Sequence, residues 1–394
     1  MSEPSRASTD GSWDPESEID PKQRAWVEIS PAAIEANAAA LCRHLNGSSQ
    51  LMAVVKADGY GHGAETVARA ALRGGATQLG VATLQEGISL RRLGIDVPVL
   101  LLGNLTQAEE LRSCLQWKLM PTLSSMREAL LCQNLADGSG RRFAVQLKLD
   151  TGMARLGCDW QEGPRLVDAI RQLESLDLCG VYSHLACADD NPRGDDGHTT
   201  TLQQRRFQDV LGALPDQGRD LCRHLANSAG TLLEQGLHYD MVRVGLALYG
   251  HAPAEHLKNV VPLQPSLALR ARVTLIRTIA AGTGVSYGHR FVSERPTRLA
   301  VVGIGYADGM LRSLSGRIWA LHQGCRLPQV GAITMDQLLL DVTEAPGIET
   351  GSTVTLLGCD GKAEITPQQW CECCDSIPWE ILCGFKRRLP RVVV

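Results

Sequence analysis

The sequence predicts an α/β chain: an N-terminal (β/α)8 barrel of the TIM type followed by a mostly-β C-terminal domain. Three observations carry this reading. Short apolar runs suited to buried parallel strands recur at 52–57, 78–83, 97–103, 119–123, 144–150, 178–185, 222–227 and 241–248. Amphipathic helical patterns separate most of them, among them Ala64–Arg73, Leu84–Leu93, Gln107–Leu115 and Gly163–Leu173, and strands alternating with helices over such a length indicate a barrel. Beyond about residue 262 the texture changes to one strand-like segment after another. A doubly wound sheet is the alternative, but no GxGxxG follows an early strand.

Residues 1–24 are rich in Ser, Asp, Glu and Pro with few apolar anchors and are expected to be a disordered lead-in. Order should begin at Trp26-Val-Glu-Ile-Ser30, a strand pattern closing on a serine N-cap with Pro31 at the first helical position. The barrel is expected to span 25–262 and the β domain 263–394, with the boundary near Val260-Val-Pro262. In the second part, strand-like segments run at Ala268–Ala280, Arg298–Ile304, Arg317–Leu321, Gln337–Val342 and Thr353–Leu357, and helical pattern returns near Pro367–Cys374 and Pro378–Cys383.

The most informative stretch is Ala53-Val-Val-Lys-Ala-Asp-Gly-Tyr-Gly-His-Gly63. It brings Lys56 to the end of the first barrel strand, ahead of a turn with three glycines and Tyr60. An ammonium group at a buried strand end is costly unless paired or used, and burial lowers its pKa. A lowered lysine pKa is what Schiff-base chemistry with a carbonyl compound needs; the plainer alternative is a lysine snorkelling to solvent. Active sites of this fold lie at the C-terminal strand ends. That rule singles out Lys148 through Gly157 after strand five, Ser183-His184 after strand six, Ala226-Asn227-Ser228 after strand seven, and Met241–Leu246 at strand eight. The ends of strands seven and eight are where such barrels hold phosphate, and Ser228 with the Gly245 and Leu246 amides would suit an anion. A lysine, a phosphate cradle and several cations on one barrel mouth point to pyridoxal 5′-phosphate (PLP).

Bulk properties exclude other classes. Net charge is −4 over 394 residues, which gives no polyanion-binding surface and argues against a nucleic-acid partner. No run of 18 apolar residues and no signal pattern is present, so a soluble cytoplasmic protein without membrane contact is expected. Thirteen scattered cysteines fit reduced thiols better than a disulfide framework. Cys371-Glu-Cys-Cys374 with Cys359 and Cys383 lacks a paired second CxxC, so no metal site is expected.

With these residues in view, the chain resembles the alanine racemases of the PLP-dependent fold-type III family from Trp26 to about Arg391. The separated motifs are AVVKADGYGHG at 53–63, LDTGMARLG at 149–157, HLANSAG at 224–230, MVRVGLALYG at 241–250, VSYG at 285–288, GYADG at 305–309 and TMDQ at 334–337. The resemblance implies a homodimeric isomerase that interconverts L- and D-alanine, supplying D-alanine for cell-wall peptidoglycan. Lys56 would carry PLP as a Schiff base and act as a base on one face of the substrate Cα. Tyr287, supplied by the partner subunit, would act on the other face. An unperturbed phenol has a pKa near ~10, so its phenolate would need stabilising, with His184 and Arg243 as cationic or hydrogen-bonding neighbours. Arg243 would face the pyridine nitrogen and withhold a proton from it. Arg155 would lie beside the cofactor's phenolic oxygen and bind the substrate carboxylate. Lys148 matches a position open to carbamylation, which would make it a partner for Arg155. Tyr60, Asn227, Ser228, Gly245 and Leu246 fall at or beside phosphate-binding positions. Met335 and Asp336 would come from the partner as substrate-binding residues, Met335 through its backbone amide near the substrate carboxylate, and Tyr306 matches a gating tyrosine at the entrance.

One departure concerns Pro378-Trp379-Glu-Ile381, where the family usually places a phosphate-binding tyrosine at 379. Indole keeps one donor, cannot accept, and is bulkier, which favours a small substrate side chain and leaves serine as the next candidate. Thr334 stands where a cysteine is common. The readings weighed against alanine racemisation are a serine or broad-specificity racemase or an amino-acid decarboxylase of the same fold, a non-catalytic PLP-binding barrel, and a barrel without cofactor.

Overall fold

The computed structural model describes residues 20–190 and 198–394. The chain divides into two compact units. One comprises Ile29–Leu267 with the last two residues; the other comprises the described residues up to Glu28 together with Ala268–Val392.

The first unit is a parallel barrel. Its strands are β1 (Gln50–Val54), β2 (Gln78–Val81), β3 (Val99–Asn104), β4 (Met120–Leu123), β5 (Phe143–Asp150), β6 (Leu176–Tyr182), β7 (Cys222–His224) and β8 (Met241–Val244). They hydrogen-bond in the order β8-β1-β2-β3-β4-β5-β6-β7, all parallel, with Arg243 opposite Met52 and Lys148 opposite Tyr182. The seam between β7 and β8 is closed by single backbone bonds, Asp240 N to Arg223 O and Arg243 N to Ala226 O, each 3.0 Å. Met52, Leu100, Met120, Tyr182 and Met241 come from five different strands and form one buried cluster. Side chains from strands so far apart in order can meet only inside the ring, so the barrel has a packed centre.

The expected helices form where periodicity and caps coincide. Ser30 caps Pro31–His44, its Oγ accepting from Ala33 N at 3.3 Å. Ala64–Arg73 buries Val67, Ala68, Ala70 and Ala71. Thr83 and Glu86 form a capping box at the start of Leu84–Arg92. Ala108–Gln116 and Gly163–Arg171 complete the set named from the sequence, and Met126–Ser139 and Thr199–Ala213 are further helices.

The second unit is antiparallel. Its principal strands are β9 (Leu267–Ile279), β10 (Thr297–Val302), β11 (Trp319–His322), β12 (Cys325–Val330), β13 (Leu338–Asp341) and β14 (Thr353–Asp360). They run β14-β11-β12-β13-β10-β9, and β14 pairs again with β9, closing a ring. The long β9 makes this possible: Leu269–Arg272 pairs with β14, whereas Val273–Ile279 pairs with β10, with irregular register in each ladder. The strand Ala25–Ile29 lies between β9 and Arg391–Val393.

The structure differs from the sequence reading at several points. Lys56 is two residues past β1, in a short helical turn Lys56–Tyr60. The eighth run stops at Val244, because Gly245 breaks the extended backbone and Leu246–Tyr249 forms a 3₁₀ turn. Ala25–Glu28 belongs with the β unit, since its backbone is bonded into that sheet, and the division falls at Leu267 and Ala268 rather than at 262. Of the lead-in expected to be disordered, residues 1–19 lie outside the described residues. Lys22 and Arg24 are engaged, with Arg272 Nε donating to Lys22 O at 2.7 Å and Arg24 pairing with Asp308.

Candidate functional site

Lys56 is half-buried and its turn is shaped by backbone that few residues tolerate. Ala57, Asp58 and Gly59 all have positive φ. This conformation costs energy for non-glycine residues, and neighbouring groups hold it. Glu86 Oε1 accepts from Ala57 N at 2.7 Å while its Oε2 accepts from Ala82 N at 2.8 Å. Asp58 Oδ1 accepts from Ala64 N at 2.8 Å. Glu86 was not singled out from the sequence, although Thr83-x-x-Glu86 is a readable capping box; its second task beside Lys56 was not readable.

Arg243 is buried at the core of the site. Its Nη2 donates to Ser183 O at 2.6 Å, Leu225 O at 3.1 Å and His184 Nδ1 at 3.1 Å, and its Nη1 donates to His224 Nδ1 at 3.0 Å. A guanidinium cannot accept, so both Nδ1 atoms are unprotonated and each ring's proton sits on Nε2. His224 Nε2 then donates to Gln146 Oε1 at 2.7 Å. His224 also stacks on Tyr182 with centroids 4.7 Å apart, and Tyr182 bonds Thr122 at 2.6 Å. Burial, then the nearby Arg243, pushes the His224 pKa well below its usual range. Burial does the same to His184, helped by Arg243, Lys148, Arg155 and Lys56. His184 is therefore a neutral hydrogen-bonding group and not a cationic neighbour for a phenolate. Gln146 was missed in the sequence because its partner is distant along the chain.

Lys148 lies on β5, with Nζ 5.7 Å from the Tyr182 ring centroid. Burial first, then Arg243 and Arg155, lowers its pKa to about 8. Asp150 Oδ1 accepts from the Gly152, Met153 and Ala154 amides at 2.9, 3.0 and 3.1 Å, shaping the loop that carries exposed Arg155. Lys56, Lys148, Arg155, His184 and Arg243 thus form one electrostatically coupled group.

The Lys148 shift has a stability consequence. Below about 8 both folded and unfolded chains hold the proton, and burying the cation destabilises in full. Between about 8 and 10.5 the unfolded chain binds more protons than the folded one, so stability rises with pH. Lys148→Met is expected to be more stable than wild type near neutrality, the gap shrinking as pH rises through this window. Urea unfolding in carbonate-free buffer measures it; a pH-independent gap overturns the assignment.

An anion cradle lies at the ends of β7 and β8. Asn227 caps Ser228–Leu233, its Oδ1 accepting from Gly230 N at 3.0 Å. Ser228 Oγ accepts from Gly245 N at 3.0 Å and Ala247 N at 3.3 Å, which leaves its O–H to donate outward. A Cβ on Gly245 would fall 2.5 Å from the Tyr60 hydroxyl oxygen. Tyr60, Ser228 and Gly245 therefore meet over a space that only glycine leaves open. Leu246 is buried directly after Gly245. The donor set fits a phosphate.

The remaining candidates belong to the β unit. Tyr287 is 75% exposed and follows Ser286, whose φ of 62° and ψ of −171° lie in a region essentially reserved for glycine. Such a residue costs about 1–3 kcal/mol; the Ser286 Oγ bond to Ala332 O at 2.8 Å helps hold it. Tyr306 opens the turn Tyr306–Asp308. Its amide bonds Thr334 O at 2.9 Å and the Ala307 amide bonds Met335 O at 3.0 Å, so Tyr306, Met335 and Asp336 are brought together. Met335 is exposed. Trp379 is half-buried on Pro378–Cys383. Among the described residues no three or more His, Cys, Asp or Glu side chains are placed to hold a metal ion. Cys373 and Cys374 donate instead to the Arg317 and Trp370 carbonyls at 3.4 and 3.0 Å.

Comparison with known proteins covers both units. Residues 29–253 match the family model for the alanine racemase N-terminal domain, and 266–393 match that for the C-terminal domain. The alanine racemase of Prochlorococcus marinus is 58% identical over 380 residues, 96% of this chain and 98% of the relative. That of a Nostoc species is 50% identical over 375 residues, 94% and 96% respectively. The crystal structure of alanine racemase from a D-cycloserine-producing Streptomyces lavendulae superposes with TM-score 0.87 at 37% identity, covering 94% of this chain and 97% of that one. The Bartonella henselae enzyme, solved with covalently bound pyridoxal phosphate, gives TM-score 0.83 at 32% identity, covering 94% and 99%.

Proposed function

The chain belongs to the alanine racemase family, an isomerase interconverting L- and D-alanine, and we propose that it does so by a two-base mechanism with PLP held by the barrel unit. The observation that carries the proposal is the coupled group Lys56, Lys148, Arg155, His184 and Arg243 in the same unit as the Tyr60–Ser228–Gly245 cradle. When bound, the cofactor supplies a carbonyl carbon that Lys56 captures and a conjugated ring that draws electrons from the substrate Cα–H bond.

The chain's own residues do the rest. Tyr60, Ser228, Gly245 and Leu246, with Asn227 behind them, would hold the phosphate. Arg243 keeps its proton: burial lowers its pKa only to about 10, so at neutral pH it would face the ring nitrogen of the cofactor as a hydrogen-bond donor and not as an acid. Arg155 and the Met335 amide receive the substrate carboxylate, and Tyr306 narrows the entrance. Lys56 and Tyr287 each hold or take the Cα proton on opposite faces, and one donates where the other accepts. Lys148, whose amine gives up its proton near 8 instead of in the usual lysine range, is suited to carbamylation and would then pair with Arg155.

Tyr287 and Met335 stand exposed on the β unit, and we propose a homodimer in which each barrel is completed by the partner's β unit. The thirteen scattered cysteines fit reduced thiols better than a disulfide framework, which supports a reducing, cytoplasmic setting, and no helix among the described residues is long and apolar enough to cross a membrane.

A chiral assay with D- and L-alanine, repeated with serine, tests the activity. Faster turnover of alanine in both directions is expected; faster serine turnover overturns the substrate assignment. Borohydride reduction of the loaded enzyme and peptide mapping should label Lys56. Label on another lysine refutes the cofactor site.

A further inference from the structure

The Asp308 side chain is fully buried. Its Oδ1 and Oδ2 accept from Arg24 Nη2 and Nη1 at 2.6 and 2.8 Å, and Oδ2 also accepts from Gly305 N at 3.0 Å. Arg24 Nη1 further donates to Gly303 O at 2.8 Å. Arg388 lies beside this pair, Nε 3.5 Å from Asp308 Oδ1, and reaches onward so that its Nη2 donates to Asp336 Oδ1 at 2.8 Å. It therefore bridges an immobile carboxylate and an exposed one. Backbone bonds join the stretches carrying the two carboxylates, Tyr306 to Thr334 and Ala307 to Met335. They run so close that a Cβ on Gly305 would lie 2.3 Å from Thr334 O and 2.4 Å from Met335 O.

We infer that Arg388 is a positioning residue that ties Asp336 to the buried Asp308 and so fixes the turn carrying Met335 against Tyr306. Asp336 then acts through Arg388 and not on the substrate. The functional half of this inference rests on reading Met335 and Tyr306 as substrate-side groups. The buried end is the anchor, because Arg24 and the Gly305 amide satisfy Asp308 without help. The exposed end is the adjustable one: a turn held by two backbone bonds at a surface can open locally, and a charged bond from a fixed guanidinium restrains it. Arg388 and Asp336 are about half exposed, and such pairs contribute little to global stability. A change in function without a change in unfolding temperature therefore separates positioning from plain structural support.

The test uses the loaded enzyme with Arg388→Gln, Asp336→Asn, the double variant and Arg388→Lys. Hydrogen exchange at the Tyr306 and Ala307 amides is expected to quicken about 5–10-fold in Arg388→Gln with the unfolding temperature unchanged. KM for L-alanine should rise by roughly 5-fold with kcat within about two-fold. The double variant should be no worse than either single one, and Arg388→Lys should recover part of the loss. Unchanged exchange in Arg388→Gln overturns the positioning role whatever the kinetics. Multiplying losses in the double variant overturn the claim about Asp336. If wild type fails to racemise alanine, the underlying reading fails, while the exchange measurement still decides whether the tie exists.

Discussion

Tyr287→Phe is expected to lower racemisation by a factor of about 10²–10⁴, the usual cost of removing a general acid or base, while cofactor binding is retained. The substitution deletes one oxygen from a side chain that is largely exposed on the β unit, so folding of that unit should be unaffected. Ser286 in its glycine-like conformation still presents the ring. With one base left, proton exchange at Cα should continue on the Lys56 face only. Incorporation of solvent deuterium into one alanine enantiomer, with little conversion to the other, is the supporting pattern. A variant that racemises near the wild-type rate would show that Tyr287 carries no proton.

Restored activity on mixing two dead variants is the second large effect. Lys56→Ala and Tyr287→Phe lie in different units of the chain, and each alone should be inactive. In a homodimer with shared sites, subunit exchange puts both lesions into one site of each heterodimer and neither into the other, as an isologous pair requires. At random pairing roughly a quarter of wild-type activity should return, because half of the dimers are mixed and half of their sites are intact. Exchange verified by mass tags with no recovered activity would place Tyr287 within its own chain.

Much of the barrel was readable because its strands are short apolar runs and its helices start on capping residues such as Ser30 and Thr83. The β unit was readable as successive strands, but Cys325–Val330 was not named: Pro328 sits inside it, and proline lowers strand expectation. The end of the first barrel strand was misplaced because Val55 continues the apolar, β-branched run up to Lys56; beyond it, Glu86 from another element captures the Ala57 amide. The candidate residues came from motifs, and motifs name residues without their partners. That His184 and His224 are neutral follows from Arg243 donating to both, a fact of tertiary geometry. Gln146 and Arg388 looked like ordinary strand and surface residues, since what gives them a task lies far away in sequence.

The strand Ala25–Ile29 sits between β9 and the last strand, with Val27 N bonded to Pro390 O at 2.9 Å. This has a consequence for synthesis on the ribosome. The barrel can close once Leu267 has emerged, but the sheet that takes up the first strand is unfinished until the final residues arrive. At about 5–20 residues per second, the stretch from Ala268 to Val392 takes about 6–25 s to make. Until the last strand arrives, Ala25, Trp26, Val27 and Ile29, all buried in the finished protein, can be paired on one side only, with β9. One of the first strands to be made is thus among the last to be paired on both edges.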